Sequence, residues 1–365
     1  MVRPAPHIEA IPATTPFVGP EQLMRETGQR DLVRLGANES AFGPSPKAVA
    51  AMTAELERLS WYGDPESLDL RDALALKHGC RPSQIVVGAG IDDLMGIAVR
   101  GFMPPGGIAL TTRGTYPTFN YHVTGYGGTL AFAAYRDDGK LDLDALATIA
   151  HERKASIVYV ANPDNPSGSF YGRDDVERFR AALPHDTLFM LDEAYADFVE
   201  PGELPPVAID DSTIRLRTFS KTYGMAGARI GYALLSEEHA ATFQKIRLHY
   251  GINRNAQIGA LASLADDAFR DRVVRETAEA REDYYALARE LGCGYIESRT
   301  NFVCIDMGTR ERAERVMEEL LKRGVWIRKP GAPPLDRFIR VSAGTPPMRA
   351  AFAQALRAVL HEVLI

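Results

Sequence analysis

The sequence predicts an α/β protein: a largely parallel sheet between helices, followed by a smaller α+β lobe. Three observations carry this. Short runs of continuous apolar residues alternate with amphipathic stretches through the middle of the chain. Polar clusters fall at the ends of those runs, where open parallel sheets hold their ligands. After about Gly251 the pattern changes to long charged helical stretches around short strands. At 365 residues, 45% of them hydrophobic, the chain is long enough for two lobes with a sizeable core.

Residues 1–44 form a proline-rich arm too short to be a domain and expected to pack on the small lobe; 45–253 are expected to form the large lobe and 254–365 the small one. "SPKAVAAMTAELERL" opens the large lobe with Ser45 as N-cap and Pro46 at the first helical position, and it sets Val49, Met52, Leu56 and Leu59 on one face. "QIVVGAG", "GGIALTT", "SIVYVANP", "TLFMLDEAY", "TIRLRTFSK" and "ARIGYALL" read as strands buried on both faces, because their apolar residues do not alternate with polar ones. In the small lobe "DRVVRETAEAREDYYALAREL" and "RERAERVMEELLKRG" read as helices, and "NFVCIDM" and "RFIRVSAG" as strands.

The formal charge of -6 is spread without blocks, which leaves no footprint for nucleic acid or an anionic membrane. No apolar run approaches a bilayer span and the start has no signal-like apolar segment, so a cytoplasmic protein is expected. Cys80, Cys293 and Cys304 lack paired spacing, which fits a reducing compartment and supports neither a disulfide framework nor a metal site. Small-molecule chemistry is the remaining class.

Taken singly, the polar clusters are modest signals. "GAGIDD" (Gly88 to Asp93) suits a phosphate at a helix N-terminus but lacks the third glycine of a dinucleotide fingerprint. "NPDNPSG" (Asn162 to Gly168) has the composition of a tight turn. Their order is far more specific: a glycine turn, Tyr116, "NPDNPSG", "LDEAY", "TFSK", then Arg229. This series resembles the fold-type I pyridoxal-phosphate enzymes of the aspartate aminotransferase superfamily. Through "RLGANESAFGPSP", "WYGDPE", "TNFVCID", "GVWIRKP" and "IRVSAGT" it is similar to the histidinol-phosphate aminotransferase branch, from about Arg34 to Gly344.

The resemblance implies a seven-stranded, mostly parallel sheet and pyridoxal 5'-phosphate bound as a covalent aldimine with Lys221. That lysine must be a free amine to attack and to shuttle a proton, which desolvation and a neighbouring cation favour. Asp192 would keep the cofactor ring protonated, Asn165 and Tyr195 would bond its phenolic oxygen, and Tyr116 would stack on its face. Arg229 would grip the phosphate as a fork, helped by Thr218, Ser220 and the backbone at Gly90, Ile91 and Asp92. Tyr62 resembles the tyrosine that reaches the neighbouring subunit's phosphate, which implies a homodimer with shared active sites. Arg340 and Arg328 would take the anionic groups of the substrate, with Asn38 beside them. Phe17 stands where the family has a tyrosine, Ile91 where a small residue is common and Asp93 where glutamate is usual, and "RKPGAPPLDR" is unusually rich in proline.

The implied reaction is a ping-pong transfer between an amino donor, L-histidinol phosphate with imidazole-acetol phosphate as its keto form, and 2-oxoglutarate with glutamate. An aromatic amino acid aminotransferase and a same-fold decarboxylase of a phosphorylated amino acid are the alternatives. A dinucleotide-dependent oxidoreductase would leave Lys221 and Asp192 without a role, and a DNA-binding regulator would need a longer segment before Arg34.

Overall fold

The computed structural model describes residues 2–13, 18–28, 31–200, 202–204 and 209–363. After a short strand in the arm, β1 (Val33–Arg34), the chain builds one large sheet from β2 (Ile85–Gly88), β3 (Ile108–Thr112), β4 (Thr129–Ala133), β5 (Ile157–Ala161), β6 (Leu188–Asp192), β7 (Thr213–Thr218) and β8 (Gly231–Leu234). These seven strands lie in the order β2-β8-β7-β6-β5-β3-β4. All neighbours are parallel except that β8 runs antiparallel to both β2 and β7.

The six apolar runs are six of these strands, and β2, β5, β6, β7 and β8 are buried at every residue. Burial on both faces is what removes the alternation from four of these sequences; β7 differs from the expectation, alternating Ile214 and Leu216 with Arg215 and Arg217, which are buried through ion pairs to Glu193. The seventh, β4, is not among those runs although residues 130–134 are all apolar; it is an edge strand paired only with β3, and its burial alternates from exposed Thr129 to buried Ala133.

Period-two geometry then sorts the side chains. On β5, Ile157, Tyr159 and Ala161 join the core formed with helices Ile91–Phe102, Thr118–Gly125 and Glu237–Gln244. Val158 and Val160 join the opposite core, beneath helices Leu143–Arg153 and Arg173–Ala182. Each fully buried aliphatic or aromatic side chain contributes about 1.5–3 kcal/mol, so the two layers together fix the sheet's register.

The small lobe contains β9 (Tyr295–Ile296), β10 (Phe302–Asp306), β11 (Val325–Trp326) and β12 (Phe338–Ser342). β12, β10 and β9 form an antiparallel sheet, while β11 pairs in parallel with β1 of the arm. Leu35 of the arm is wholly buried among Tyr284, Val303, Ile339 and Phe352. Helix Arg254–Leu264 packs Ala256 and Ala260 among Leu70, Leu74 and Ile85 of the large sheet's flank. Among the described residues no helix is long and apolar enough to cross a membrane.

One sequence expectation meets a different environment. Ser45 does cap helix Pro46–Ala54, accepting from the Lys47 N–H at 3.1 Å. The helix ends at Ala54, however, and Val49, Leu56 and Leu59 are 48%, 52% and 61% exposed. Ala48 is buried and Met52 packs against the core around Leu74 and Ala256, whereas Val49, Leu56 and Leu59 cover no core of their own chain.

Candidate active site

A cavity of about 730 Å³ opens at the carboxyl edge of the parallel strands, between the large sheet and the small lobe. Its floor comes from the residues that follow β3, β5, β6 and β7: Tyr116, Asn165, Asp192 with Tyr195, and Ser220 with Lys221. Arg229 reaches the same edge because β8 is antiparallel, which puts the residues before it beside those after β7. Arg328 and Arg340 close the cavity from the small lobe, and Asn38 from the arm.

Lys221 extends over the Tyr195 ring, 5.6 Å from its centroid, and its Nζ donates to the Asn38 carbonyl at 3.1 Å. Burial, reinforced by the Arg340 charge, pushes the Lys221 amine down to about 8. About a tenth of it is therefore unprotonated at pH 7, far more than for an ordinary lysine. Asp192 ends β6 in full burial, which pushes its carboxyl up to about 6 although Tyr159 and the Ala194 N–H donate to it.

Tyr195 accepts from Asn38 Nδ2 at 3.1 Å, an arrangement that leaves its own proton to be donated elsewhere. Burial pushes that phenol up to about 12, so it remains a donor. Asn165 Oδ1 accepts from Arg340 Nη1 at 2.6 Å, and its amide nitrogen is left as donor toward the cavity. Asn38 is itself held in a left-handed conformation with φ 55°, its backbone N–H donating to Ser342 Oγ.

One end of the cavity is built for an anion. Helix Ile91–Phe102 points its first turn there, and first-turn N–H groups have no carbonyl within the helix to satisfy them. Gly90 caps it at φ 90°, where an added Cβ would lie 2.7 Å from Arg229 Nη2. Only glycine permits both the backbone turn and the approach of the guanidinium. Thr218 Oγ1 and Ser220 Oγ, 2.9 Å apart, add hydroxyls, and Arg229 is a non-glycine residue at φ 56°, a strained geometry that functional sites retain. Asp92 accepts from Tyr116 at 3.0 Å and faces Arg229 Nη2 at 3.3 Å. A flat, phosphorylated aldehyde fits this set: a cradle for phosphate, a lone carboxylate at the floor, and an amine of lowered basicity between them.

Every described residue singled out from the sequence borders this cavity or its cradle except Tyr62. Tyr62 is 76% exposed and packs on Tyr250 with ring centroids 4.5 Å apart. Phe17 lies outside the described residues. Sequence reasoning passed over Tyr159, which donates to Asp192, and Asn301, whose Nδ2 donates to the Asn38 carbonyl at 3.1 Å. The signal for Asn301 was its place in "TNFVCID"; for Tyr159 there was none.

The sequence model of the family described as "Aminotransferase class I and II" matches residues 30–356. "Histidinol-phosphate aminotransferase 2" of Carboxydothermus hydrogenoformans is 33% identical over 99% of both chains. The crystal structure of histidinol-phosphate aminotransferase from Sinorhizobium meliloti in complex with pyridoxal-5'-phosphate superposes with a TM-score of 0.95 at 41% identity, covering 100% of this chain and 99% of that one. A putative histidinol-phosphate aminotransferase from Erwinia carotovora atroseptica is 27% identical, with a TM-score of 0.84 over 92% of this chain and 97% of its own.

Proposed function

The chain belongs to the class I and II aminotransferases, and is a pyridoxal-phosphate-dependent transaminase; from that premise we propose that its amino donor is L-histidinol phosphate and its acceptor 2-oxoglutarate. The observation that carries the substrate reading is a pair of arginines. Arg328 and Arg340 exchange backbone hydrogen bonds, at 3.3 and 2.6 Å, in an isolated antiparallel bridge, and both line the cavity that holds Lys221. Residues opposed in this way project to the same side, so two forks face one pocket. Such a pair suits a phosphate monoester in one half-reaction and a dicarboxylate in the other.

Pyridoxal 5'-phosphate, when bound, supplies an aldehyde for amine exchange and a ring that accepts electrons from the substrate's α-carbon. The residues divide the remaining work. Lys221 Nζ would hold the cofactor covalently, and as a free amine would move the substrate's α-proton. The Asp192 carboxylate would keep a proton on the ring nitrogen, while Tyr195 and the Asn165 amide would donate to the phenolic oxygen. Tyr116 would cover a ring face. Arg229, Thr218, Ser220 and the backbone at Gly90, Ile91 and Asp92 would hold the phosphate. Arg340 and Arg328 orient the substrate, and Asn38 fixes Lys221 and Tyr195 in place through its carbonyl and amide.

The active unit in this reading is a homodimer. Val49, Leu56, Leu59, Trp61, Tyr62 and Leu248 are all between 48% and 76% exposed, and an apolar group of this kind on one chain supports burial against a second copy. Tyr62 would then reach the partner's phosphate cradle. The test is an absorbance titration of the cofactor-loaded protein with histidinol phosphate, glutamate and phenylalanine in parallel. Bleaching by histidinol phosphate at far lower concentration than by phenylalanine supports the reading; the reverse order makes the enzyme an aromatic aminotransferase.

A further inference from the structure

We propose that Tyr159 is a positioning residue for Asp192: its buried phenol fixes the carboxylate that serves the cofactor ring, an inference that rests on the function proposed above. Tyr159 lies on β5 with no exposed surface, and its hydroxyl donates to Asp192 Oδ2 at 2.7 Å. The other oxygen, Oδ1, accepts from the Ala194 N–H at 2.9 Å. One donor on each oxygen determines the plane of the carboxylate, and the lone pairs left over are those that face the cavity.

The sheet register makes this contact possible. Asp192 stands opposite Ala161 on β5, and Tyr159 stands opposite Met190. Tyr159 and Asp192 are thus diagonal neighbours on one face, separated by a distance that a long aromatic side chain spans and a short one does not. Ala161 is small enough to let the phenol pass. Phe119 then lies flat on the Tyr159 ring, with centroids 4.7 Å apart and planes 14° from parallel, so the ring cannot swing away. Phe119 is the second residue of the helix Thr118–Gly125, two residues after Gly-Thr-Tyr-Pro brings Tyr116 into the cavity. The wall that covers the ring face and the group that orients Asp192 are one packed unit.

Donation to the charged form of a carboxylate favours that form. The other charges facing Asp192 act in opposite directions, Lys221 favouring its ionised state and Asp92 opposing it. Burial pushes the Tyr159 phenol far above its ordinary value, so it stays a donor throughout the working pH range. Without the hydroxyl Asp192 would keep its place but lose a donor, protonate at higher pH and hold the ring nitrogen less firmly.

The experiment compares wild type with Tyr159→Phe, which retains the ring and its stack. Cofactor-free protein is titrated with pyridoxal phosphate for its Kd, and kcat and KM are followed against pH in the loaded enzyme. The expected result is a Kd raised about tenfold and an acidic limb of kcat moved up by about one pH unit, the size of one hydrogen bond to a charged group, with KM little changed. An unmoved limb with unchanged Kd overturns the proposal. Should the phenylalanine variant fail to fold, Tyr159→3-fluorotyrosine decides: a more acidic phenol must move the limb down, whereas a packing role moves it in neither protein. A wild type that does not bind pyridoxal phosphate removes the proposed site itself, an outcome distinct from an unresponsive variant.

Discussion

Arg340 Nη1 donates to Asn165 Oδ1 at 2.6 Å, which ties β12 of the small lobe to the loop after β5 in the large one. The same guanidinium donates through Nη2 to the Gly36 carbonyl at 3.2 Å, so arm, sheet and small lobe meet at one side chain. Among the described residues no carboxylate forms a salt bridge with it, so in the proposed function its charge, together with that of Arg328, meets an incoming anion.

Replacing Arg340 therefore acts on substrate binding first. Arg340→Ala is expected to raise KM for glutamate by about 10- to 100-fold, the range for hydrogen bonds to a charged group. Arg340→Lys should recover only part of this, because an ammonium cannot form the planar fork. Steady-state kinetics of the three proteins check the order.

Lys221 sets the second expectation. With its amine pushed down to about 8 by burial and the Arg340 charge, covalent capture of the cofactor should accelerate as pH rises through about 8 and then level off. Arg340→Gln removes one cause and should shift that curve to higher pH. Lys221→Ala should abolish capture, read by mass after borohydride reduction, and lower turnover by at least about 10²–10⁴-fold.

Asp192 governs the acid side. In the proposed role its carboxyl, raised to about 6 by burial in the cofactor-free protein, must be ionised to hold the ring proton, so cofactor affinity should fall as pH drops below about 6. Asp192→Asn should lose most activity at every pH and show no such limb in the pH profile.

Glu193, the next residue, faces the other side of the sheet and bears on stability. Its carboxylate accepts from Arg215 Nε and Nη2 at 2.9 and 2.8 Å and from Arg217 Nε at 2.8 Å. Burial alone would raise its pKa, but the two arginines hold it at about 2, below the 4.5 of an unfolded chain. A depressed folded value means stability that is complete above pH 4.5 and is lost as pH falls toward 2. Glu193→Gln should cost about 3–5 kcal/mol at neutral pH by removing the buried negative charge that Arg215 and Arg217 share, and should flatten the acid dependence. Urea unfolding at several pH values measures both.

Leu59 tests the assembly. Leu59→Arg would set a charge into the exposed apolar group around Trp61 and Tyr62, and should shift sedimentation from dimer toward monomer. Loss of cofactor affinity in parallel is expected if Tyr62 serves the partner's cradle; a stable dimer of unchanged affinity would rule that placement out.

The large sheet was legible because strands buried on both faces are written mostly as unbroken apolar runs; β7 is the exception, since its alternating Arg215 and Arg217 are buried against Glu193. β4 was not legible although residues 130–134 are all apolar, because a short apolar run does not separate strand from helix or loop by pattern alone. That Asn165, Asp192, Tyr195 and Lys221 share one edge was legible from order: Asp192 ends a buried strand and the other three follow one, so a parallel sheet gathers them, whereas the roles expected of them came from the family resemblance. The helix after Ser45 misled, since an apolar stripe records that a surface is to be buried without recording which chain buries it.

What the sequence determined by itself was a set of residues, an amine, a carboxylate and a glycine turn, in an order that a parallel sheet gathers at its carboxyl edge. What only the tertiary structure decided were the partners across strands and lobes. Tyr159 reads as core in "SIVYVANP" and becomes a donor to Asp192 only through the β5–β6 register. Arg340 reads as one arginine among many until β12 brings it to Asn165. Spacing along a chain fixes which face a side chain takes, whereas the residue it meets there depends on register and lobe packing, which are set by the burial of the whole core.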